Sequence, residues 1–141
     1  MTATSYNQKT IDEFHAKKGL GIGPFGDHVL LLTAKGAKSG DRITTPLVYR
    51  RDGDKYIVIG SKGGAPTNPL WFSNVQANPD VEIEVAANGT TEKFRARARV
   101  QPNGPERDRL YAEQTKVWPD FLKYQKKTSR VIPVVVLERQ K

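Results

Sequence analysis

An Asn-Gly dipeptide at residues 88–89 lies between two segments that alternate apolar and charged residues, and it strongly constrains how this chain can fold. Asn-Gly is typical of two-residue β-hairpin turns. Such a turn pairs Val81 with Ala96 and Ile83 with Phe94 on an apolar face. The opposite face then pairs acidic with basic residues: Asp80 with Arg97, Glu82 with Arg95, and Glu84 with Lys93. Because both faces agree with one register, the sequence predicts an antiparallel hairpin.

Four further apolar runs read as strands. Three are predicted at about residues 29–33, 42–50 and 55–61, with Asp52-Gly53 as the turn between the last two. A buried closing strand is predicted at residues 131–137, in which Pro133 indicates an edge position or a bulge.

Helical patterns occur at the start, in the middle and near the end of the chain. They are predicted from Thr4 or Ser5 to about Lys18, from Asn68 through Val75, from about Glu106 to Val117, and from Pro119 through Tyr124. Asn68 and Pro69 have the residue types of an N-cap and a first helical position. With about six strands, the 141 residues predict one mainly β domain of α+β character, built on an antiparallel sheet or barrel.

Two loops rich in Gly, Ser and Lys each follow a predicted strand. One is residues 36–40, and the other begins at residues 61–64 and continues to Asn68-Pro69. Small residues let backbone N–H groups surround an anion, and a Lys and a Ser add charge and a donor. Neither loop matches a standard nucleotide motif. An ordinary tight turn and an anion site both remain open for each.

The composition excludes several kinds of site. The chain has no cysteine and only two histidines, His15 and His28, so no metal site is expected. Residues 21–26 match G-x-G-x-x-G, but a helix precedes them, a strand follows, and Pro24 lacks an N–H. The sequence therefore predicts an ordinary loop there, because the dinucleotide fingerprint needs the reverse order.

A net charge of +8 raises nucleic acid as a partner. The most suggestive stripe is the alternation of Lys93, Arg95, Arg97 and Arg99. In the derived register, three of these face acidic residues and only Arg99 is free. The stripe is interpreted as a solvated, charge-paired face, and no nucleic-acid partner is expected.

The N-terminal segment carries no apolar leader, and no run in the chain approaches a membrane span, so a cytoplasmic protein is expected. The first helix mixes Lys9, Lys17 and Lys18 with Ile11 and Phe14. Its apolar residues either pack onto the domain or make weak contact with the anionic inner face of the cell membrane.

An aromatic series near the C-terminus, Trp118, Phe121 and Tyr124, recurs every three residues and falls on one helical face. On residue chemistry alone it is either part of the core or the wall of a pocket.

Several short motifs, taken in order, resemble one known family. They are Leu30-Leu31-Leu32-Thr33 before residues 36–40, Thr45-Pro46-Leu47, Arg51-Asp52-Gly53, Ser61-Lys62-Gly63-Gly64-Ala65, Asn68-Pro69-Leu70-Trp71-Phe72, Asn78-Pro79 and Ile132-Pro133-Val134-Val135. Over about residues 11–138 the chain is similar to the deazaflavin-dependent nitroreductases. The resemblance implies an FMN-binding-like split β-barrel. It also implies an oxidoreductase that uses coenzyme F-420 to reduce a quinone, an enone or a nitroaromatic.

The resemblance also implies roles for individual residues. Expected cofactor contacts are Leu32, Thr33, Lys38, Ser39, Gly40, Arg42, Ile59, Gly60, Ser61, Lys62, Asn68, Pro69 and Trp71. In this scheme the 36–40 loop holds the phosphate and acidic tail, and the end of the third strand supports the ring. Expected substrate contacts are Val48, Trp118, Phe121 and Tyr124. Ser61 and Tyr124 are expected to bond developing negative charge or to deliver a proton.

Two departures from the family pattern affect these expectations. The family's Arg four residues after the loop Ser is replaced by Ile43, and Arg42 comes one position earlier, on the opposite face of a regular strand. Val48 replaces an aromatic residue, and Phe121 lacks the hydroxyl of a Tyr. A less polar pocket favours quinone or enone reduction over nitroimidazole activation.

The leading hypothesis is therefore an F-420-dependent reductase, which acts as a monomer on a small-molecule acceptor. The alternative from another class is a module that binds a deazaflavin or flavin without turnover. A basic nucleic-acid module is disfavoured by the charge-paired hairpin.

Overall fold

The computed structural model describes residues 5–140 and shows six strands closed into a barrel. The strands are β1 (Val29–Lys35), β2 (Arg42–Asp52), β3 (Lys55–Ile59), β4 (Asp80–Ala87), β5 (Thr90–Val100) and β6 (Val134–Arg139). They run β1-β2-β3-β6-β5-β4 around the barrel, and β4 pairs back with β1. All these pairings are antiparallel. The predicted antiparallel barrel is confirmed.

Alternate residues of the strands fill the barrel interior. Buried members of this core include Leu30, Leu32, Val58, Ile83, Phe94, Val135 and Leu137. The helix α2 (Leu70–Ala77) adds Trp71, Phe72 and Val75 to the same cluster. Because side chains alternate across a strand, the intervening residues are available to form an outer layer.

Three helices cover the outside of the barrel. The helix α1 (Ser5–Ala16) packs Ile11 and Phe14 against the outer face of β1. The helices α3 (Pro105–Val117) and α4 (Asp120–Lys127) cover β3 and β6. Packing onto the domain therefore accounts for the apolar residues of α1. The predicted cap at Thr4 lies outside the described residues. No helix in the described range is long and apolar enough to cross a membrane.

The hairpin of β4 and β5 has the predicted register, with Val81 opposite Ala96 and Ile83 opposite Phe94. Asn88 and Gly89 both have positive φ, at 46° and 80°. This is what the favoured two-residue turn requires of both central residues.

The ionic partners on the outer face of this hairpin only partly follow the prediction. Arg97 pairs with Asp80 at 2.9 Å, as expected. The prediction that Arg99 is free is wrong, because its Nε donates to Glu138 on β6 at 3.2 Å. Glu82 pairs with Arg42 rather than Arg95, at 3.6 Å.

Two predictions near prolines are also corrected. Pro133 is neither in an edge strand nor in a bulge: it precedes β6, and its carbonyl accepts the Gly60 amide at 2.9 Å. Asn68 does not cap α2. Pro69 occupies that position, and Asn68 Oδ1 instead accepts a hydrogen bond from Arg130 at 2.8 Å.

The turn between β2 and β3 is shifted by one residue from the predicted Asp52-Gly53, to Gly53-Asp54.

Candidate active site

A cleft of about 230 Å³ opens where β3 ends, between the middle of β2, the start of α2 and the α3–α4 junction. It is lined by Phe25, Thr45, Pro46, Leu47, Val48, Ile59, Ser61, Lys62, Pro69, Trp71, Trp118, Phe121 and Tyr124. The lining is mainly apolar or aromatic, and a few hydroxyls and one ammonium group interrupt it. Such a cleft suits a flat, largely apolar ligand with a charged end.

Nine of these residues are among those that the sequence predicts to contact the cofactor or the substrate. They are Val48, Ile59, Ser61, Lys62, Pro69, Trp71, Trp118, Phe121 and Tyr124. Phe25 was missed, although it lies in the glycine-rich segment at residues 21–26. Its ring packs against Trp118 with centroids 4.8 Å apart. The segment is therefore a loop, as predicted, but one that contributes an aromatic residue to the cleft.

Ser61 and Lys62 form the part of the cleft that follows β3. Ser61 is 9% exposed, and its Oγ has no hydrogen-bond partner among the described residues. Lys62 has a φ of 45°, a left-handed conformation that costs an L-residue about 1 kcal/mol. Its Nζ donates to Thr67 Oγ1 at 3.3 Å and has no carboxylate partner in the described range. Strain of this kind tends to concentrate at functional sites.

The aromatic wall opposite Ser61 has both a core part and a pocket part. Phe121 is 4% exposed, and Tyr111 donates its hydroxyl proton to the Phe121 carbonyl, so Phe121 belongs mainly to the core. Trp118 and Tyr124 are half-buried, and Trp118 Nε1 donates to Tyr124 Oη at 3.4 Å. Because this bond uses Tyr124 Oη as an acceptor, the phenolic proton remains available to a ligand.

The loop at residues 36–40 lies one helical turn along α2 from the cleft. Its Ala37 amide donates to Asn74 Oδ1 at 3.0 Å, and Trp71 of the same helix lines the cleft. The Gly36 and Gly40 amides are used within the loop. The amides of Lys38 and Ser39 have no partner among residues 5–140, so they can still bind an anion.

Three predicted cofactor contacts lie elsewhere. The Leu32 side chain is 1% exposed in the barrel interior. Thr33 Oγ1 bonds Thr44 Oγ1 at 2.8 Å, in a small cavity beside α1. Arg42 pairs with Glu82, and the unbroken β1–β2 register contains no bulge that would turn it to the other face. None of these three side chains lines the cleft, and whether they contact the coenzyme stays a prediction.

Gly60 and Asn68 support the cleft without lining it. A Cβ at Gly60 would lie 2.9 Å from Pro133 Cγ, so the close packing of the two segments requires glycine. Asn68 is held by Arg130, a residue that the sequence did not single out. Burial lowers the pKa of the Arg130 guanidinium below its usual value. Within the described part of the chain, no cluster of His, Asp and Glu could hold a metal ion.

Comparison with known proteins agrees with this geometry. The sequence model of the F420H(2)-dependent quinone reductase family matches residues 6–139. An F420H(2)-dependent quinone reductase of Mycobacterium tuberculosis strain H37Rv is 45% identical over 113 residues, which span 79% of this chain and 73% of that protein. A second protein of that strain, described as a putative F420H(2)-dependent quinone reductase, is 34% identical over 77% of this chain and 87% of its own length.

Two solved structures are also similar to this chain in both fold and sequence. An F-420-dependent reductase has a TM-score of 0.69 and 35% identity, over 79% of this chain and 94% of its own. A protein solved as a domain-swapped dimer has a TM-score of 0.70 and 31% identity, over 94% of this chain and 96% of its own. The matched family is narrower than the nitroreductase grouping that the motifs indicated. The chain belongs to the F420H(2)-dependent quinone reductase family, as an F-420-dependent reductase.

Proposed function

We propose that this protein reduces a quinone with reduced F-420 in the cleft, and that Ser61 and Tyr124 contact the acceptor. The observation that carries the proposal is that these two hydroxyls border one cleft with mainly apolar walls. The quinone is supported by the names of the related mycobacterial proteins.

The residues at the cleft fit F-420. Trp71, Ile59 and Pro69 offer apolar surface for a flat ring. The ammonium of Lys62 and the free amides at Lys38 and Ser39 suit a phosphate and a carboxylate tail. Because α2 adjoins both the cleft and the 36–40 loop, one elongated ligand can reach both.

When bound, reduced F-420 supplies the hydride, and the chain's task is binding, orientation and exclusion of water. A quinone that accepts a hydride acquires negative charge on oxygen and then takes up a proton. The free phenolic proton of Tyr124 and the unpartnered Oγ of Ser61 are suited to bond that oxygen. The rings of Phe25 and Trp118 shield the cleft from water on one side.

The preferred acceptor follows from the cleft's polarity. Val48 and Phe121 carry no hydroxyl, so an apolar quinone or enone fits this lining better than a polar nitroimidazole. We therefore expect quinones first, enones next and nitroaromatics last.

An acceptor panel tests the function. Purified protein is mixed anaerobically with reduced F-420 and a naphthoquinone, an enone or a nitroaromatic, and the appearance of oxidised F-420 is followed. Saturable oxidation with the quinone is expected. The proposal fails if no quinone gives saturable oxidation, or if reduced FMN serves as well as reduced F-420.

We further propose that the working form is a monomer. The solved relative that is a domain-swapped dimer makes this worth measuring. Light scattering should give a mass near 15.7 kDa, and twice that mass would contradict the proposal.

A further inference from the structure

Arg130, in the segment between α4 and β6, directs its guanidinium group into a single loop. Its Nε donates to the Ala65 carbonyl at 2.8 Å, and its Nη2 to the Ser61 carbonyl at 2.7 Å. Its Nη1 donates to the Gly60 carbonyl at 3.2 Å and to Asn68 Oδ1 at 2.8 Å. All four acceptors belong to residues 60–68, the loop that carries Ser61 and Lys62 on the cleft.

These acceptors are neutral, which distinguishes Arg130 from other well-bonded arginines of the chain. No carboxylate of residues 5–140 pairs with it within 4 Å, whereas Arg109 directs the same number of hydrogen bonds to Asp52 and Glu106. A planar guanidinium can bridge several carbonyls that converge, and a lysine ammonium cannot reproduce that fork. The contacts of Arg130 therefore serve the shape of the loop rather than a charge pair.

A second contact ties the same loop to α4. Gly64 has a φ of 84°, and a Cβ placed there would lie 2.7 Å from the Tyr124 carbonyl oxygen and 2.9 Å from Lys127 Cβ. The loop thus rests on the backbone of the helix that carries Tyr124. Arg130 lies three residues after that helix ends, so two contacts from one stretch of chain hold the loop.

We propose that Arg130 is a positioning residue that fixes residues 60–68 against α4 and so sets the separation between Ser61 and Tyr124. It does not line the cleft and acts through Ser61 and Lys62. Its effect on turnover rests on the proposed function, whereas its effect on the order of the loop depends on no ligand.

The ligand-free test is amide hydrogen exchange in the peptide that covers residues 60–68. In R130A, the Gly64 and Ala65 amides, which close the turn onto Ser61 and Lys62, should exchange about tenfold faster than in the wild type. R109A is the matched control, since it also removes four hydrogen bonds, and it should leave this peptide unchanged. Wild-type exchange in R130A would overturn the proposal. If R130A does not fold, R130K decides in its place by the same comparison.

Turnover provides a readout that lost stability alone would not change. R130A should raise the KM for reduced F-420 about tenfold and lower kcat with the quinone about tenfold, because Lys62, which faces the coenzyme, and Ser61, which faces the acceptor, both lie on the loop that Arg130 holds. Guanidinium ion at low millimolar concentration should restore the KM of R130A and have no effect on R109A, whereas R130K should not restore it. Unchanged kcat and KM in R130A, or full activity in R130K, would overturn the proposal. If the wild type oxidises no reduced F-420, the proposed function fails, and the exchange experiment still decides the role of Arg130.

Discussion

The side chain of Asn74 accepts a hydrogen bond from the backbone amide of Ala37 at 3.0 Å. It joins the middle of α2 to the Lys- and Ser-bearing loop between β1 and β2. Because α2 starts at the cleft and meets the loop one turn later, the two loops that the sequence presented separately adjoin the same helix. Asn74 is 6% exposed, so the bond is protected from water.

We predict that Asn74→Ala weakens F-420 binding about threefold to tenfold and lowers the free energy of unfolding by about 1 kcal/mol, since one protected hydrogen bond is lost. Asn74→Asp is the matched variant: it keeps the acceptor for Ala37 and adds a negative charge beside the loop. It should bind F-420 more weakly than Asn74→Ala does. Fluorescence titration measures the affinities. Wild-type affinity in both variants would show that the loop does not hold the coenzyme.

Tyr124→Phe removes only the hydroxyl and keeps the ring against Phe121. We expect kcat/KM for the quinone to fall about tenfold to a hundredfold, with unchanged affinity for F-420, because the lost group acts on the acceptor. The control is Tyr49→Phe, which removes a hydroxyl from a residue that packs against the barrel core, outside the cleft. Steady-state rates at varied quinone concentration measure the effect. Equal losses in both variants would exclude a role for Tyr124 in the reaction.

Gly64→Ala should destabilise the protein by about 1 kcal/mol for its positive φ, and by more for the contact with the Tyr124 carbonyl. Gly89→Ala carries the same backbone cost, since Gly89 has a φ of 80° and nothing within 4 Å of the added carbon. Thermal unfolding of the two variants isolates the contact. We predict a larger loss for Gly64→Ala, together with reduced quinone turnover. Equal melting temperatures would mean that the loop does not rest on α4.

The ion pair between Arg109 and Asp52 predicts a dependence of stability on acid pH. The hydrogen bond from Arg109 is the main cause that lowers the pKa of Asp52 below its ordinary value near 4. A lowered pKa in the folded state gives stability that is present above the ordinary value and is lost as pH falls through the folded pKa. Asp52→Asn should therefore reduce the loss of stability between about pH 5 and pH 2. Urea unfolding across that range measures it, and identical slopes in wild type and variant would contradict the assignment.

What the sequence could predict was mostly local. The hairpin register followed from Asn88-Gly89, because a two-residue turn fixes every pair beyond it. The cleft residues on β3 and α2 followed from short motifs with family precedent, and they do meet in one cavity.

What the sequence could not predict depends on partners distant in the chain. Asn68 has a side chain that suits a helix N-cap, but its Oδ1 accepts a hydrogen bond from Arg130 instead. Arg99 is free within its own hairpin, and pairing of β5 with β6 brings Glu138 to it. Phe25 gave no signal beyond a glycine-rich segment, since its role depends on where Trp118 lies. In each case a contact with a residue distant in the chain, which the local sequence does not show, determined the role of the side chain.

A single-turnover experiment tests the central claim most directly. The protein is loaded anaerobically with one equivalent of reduced F-420, then mixed with excess naphthoquinone, and the absorbance of the oxidised coenzyme is followed with time. The account predicts that all bound coenzyme is oxidised in one exponential phase, with one hydroquinone formed per coenzyme. Tight binding in which the coenzyme stays reduced after the quinone is added would contradict it, and would make the cleft a carrier site rather than a reductase site.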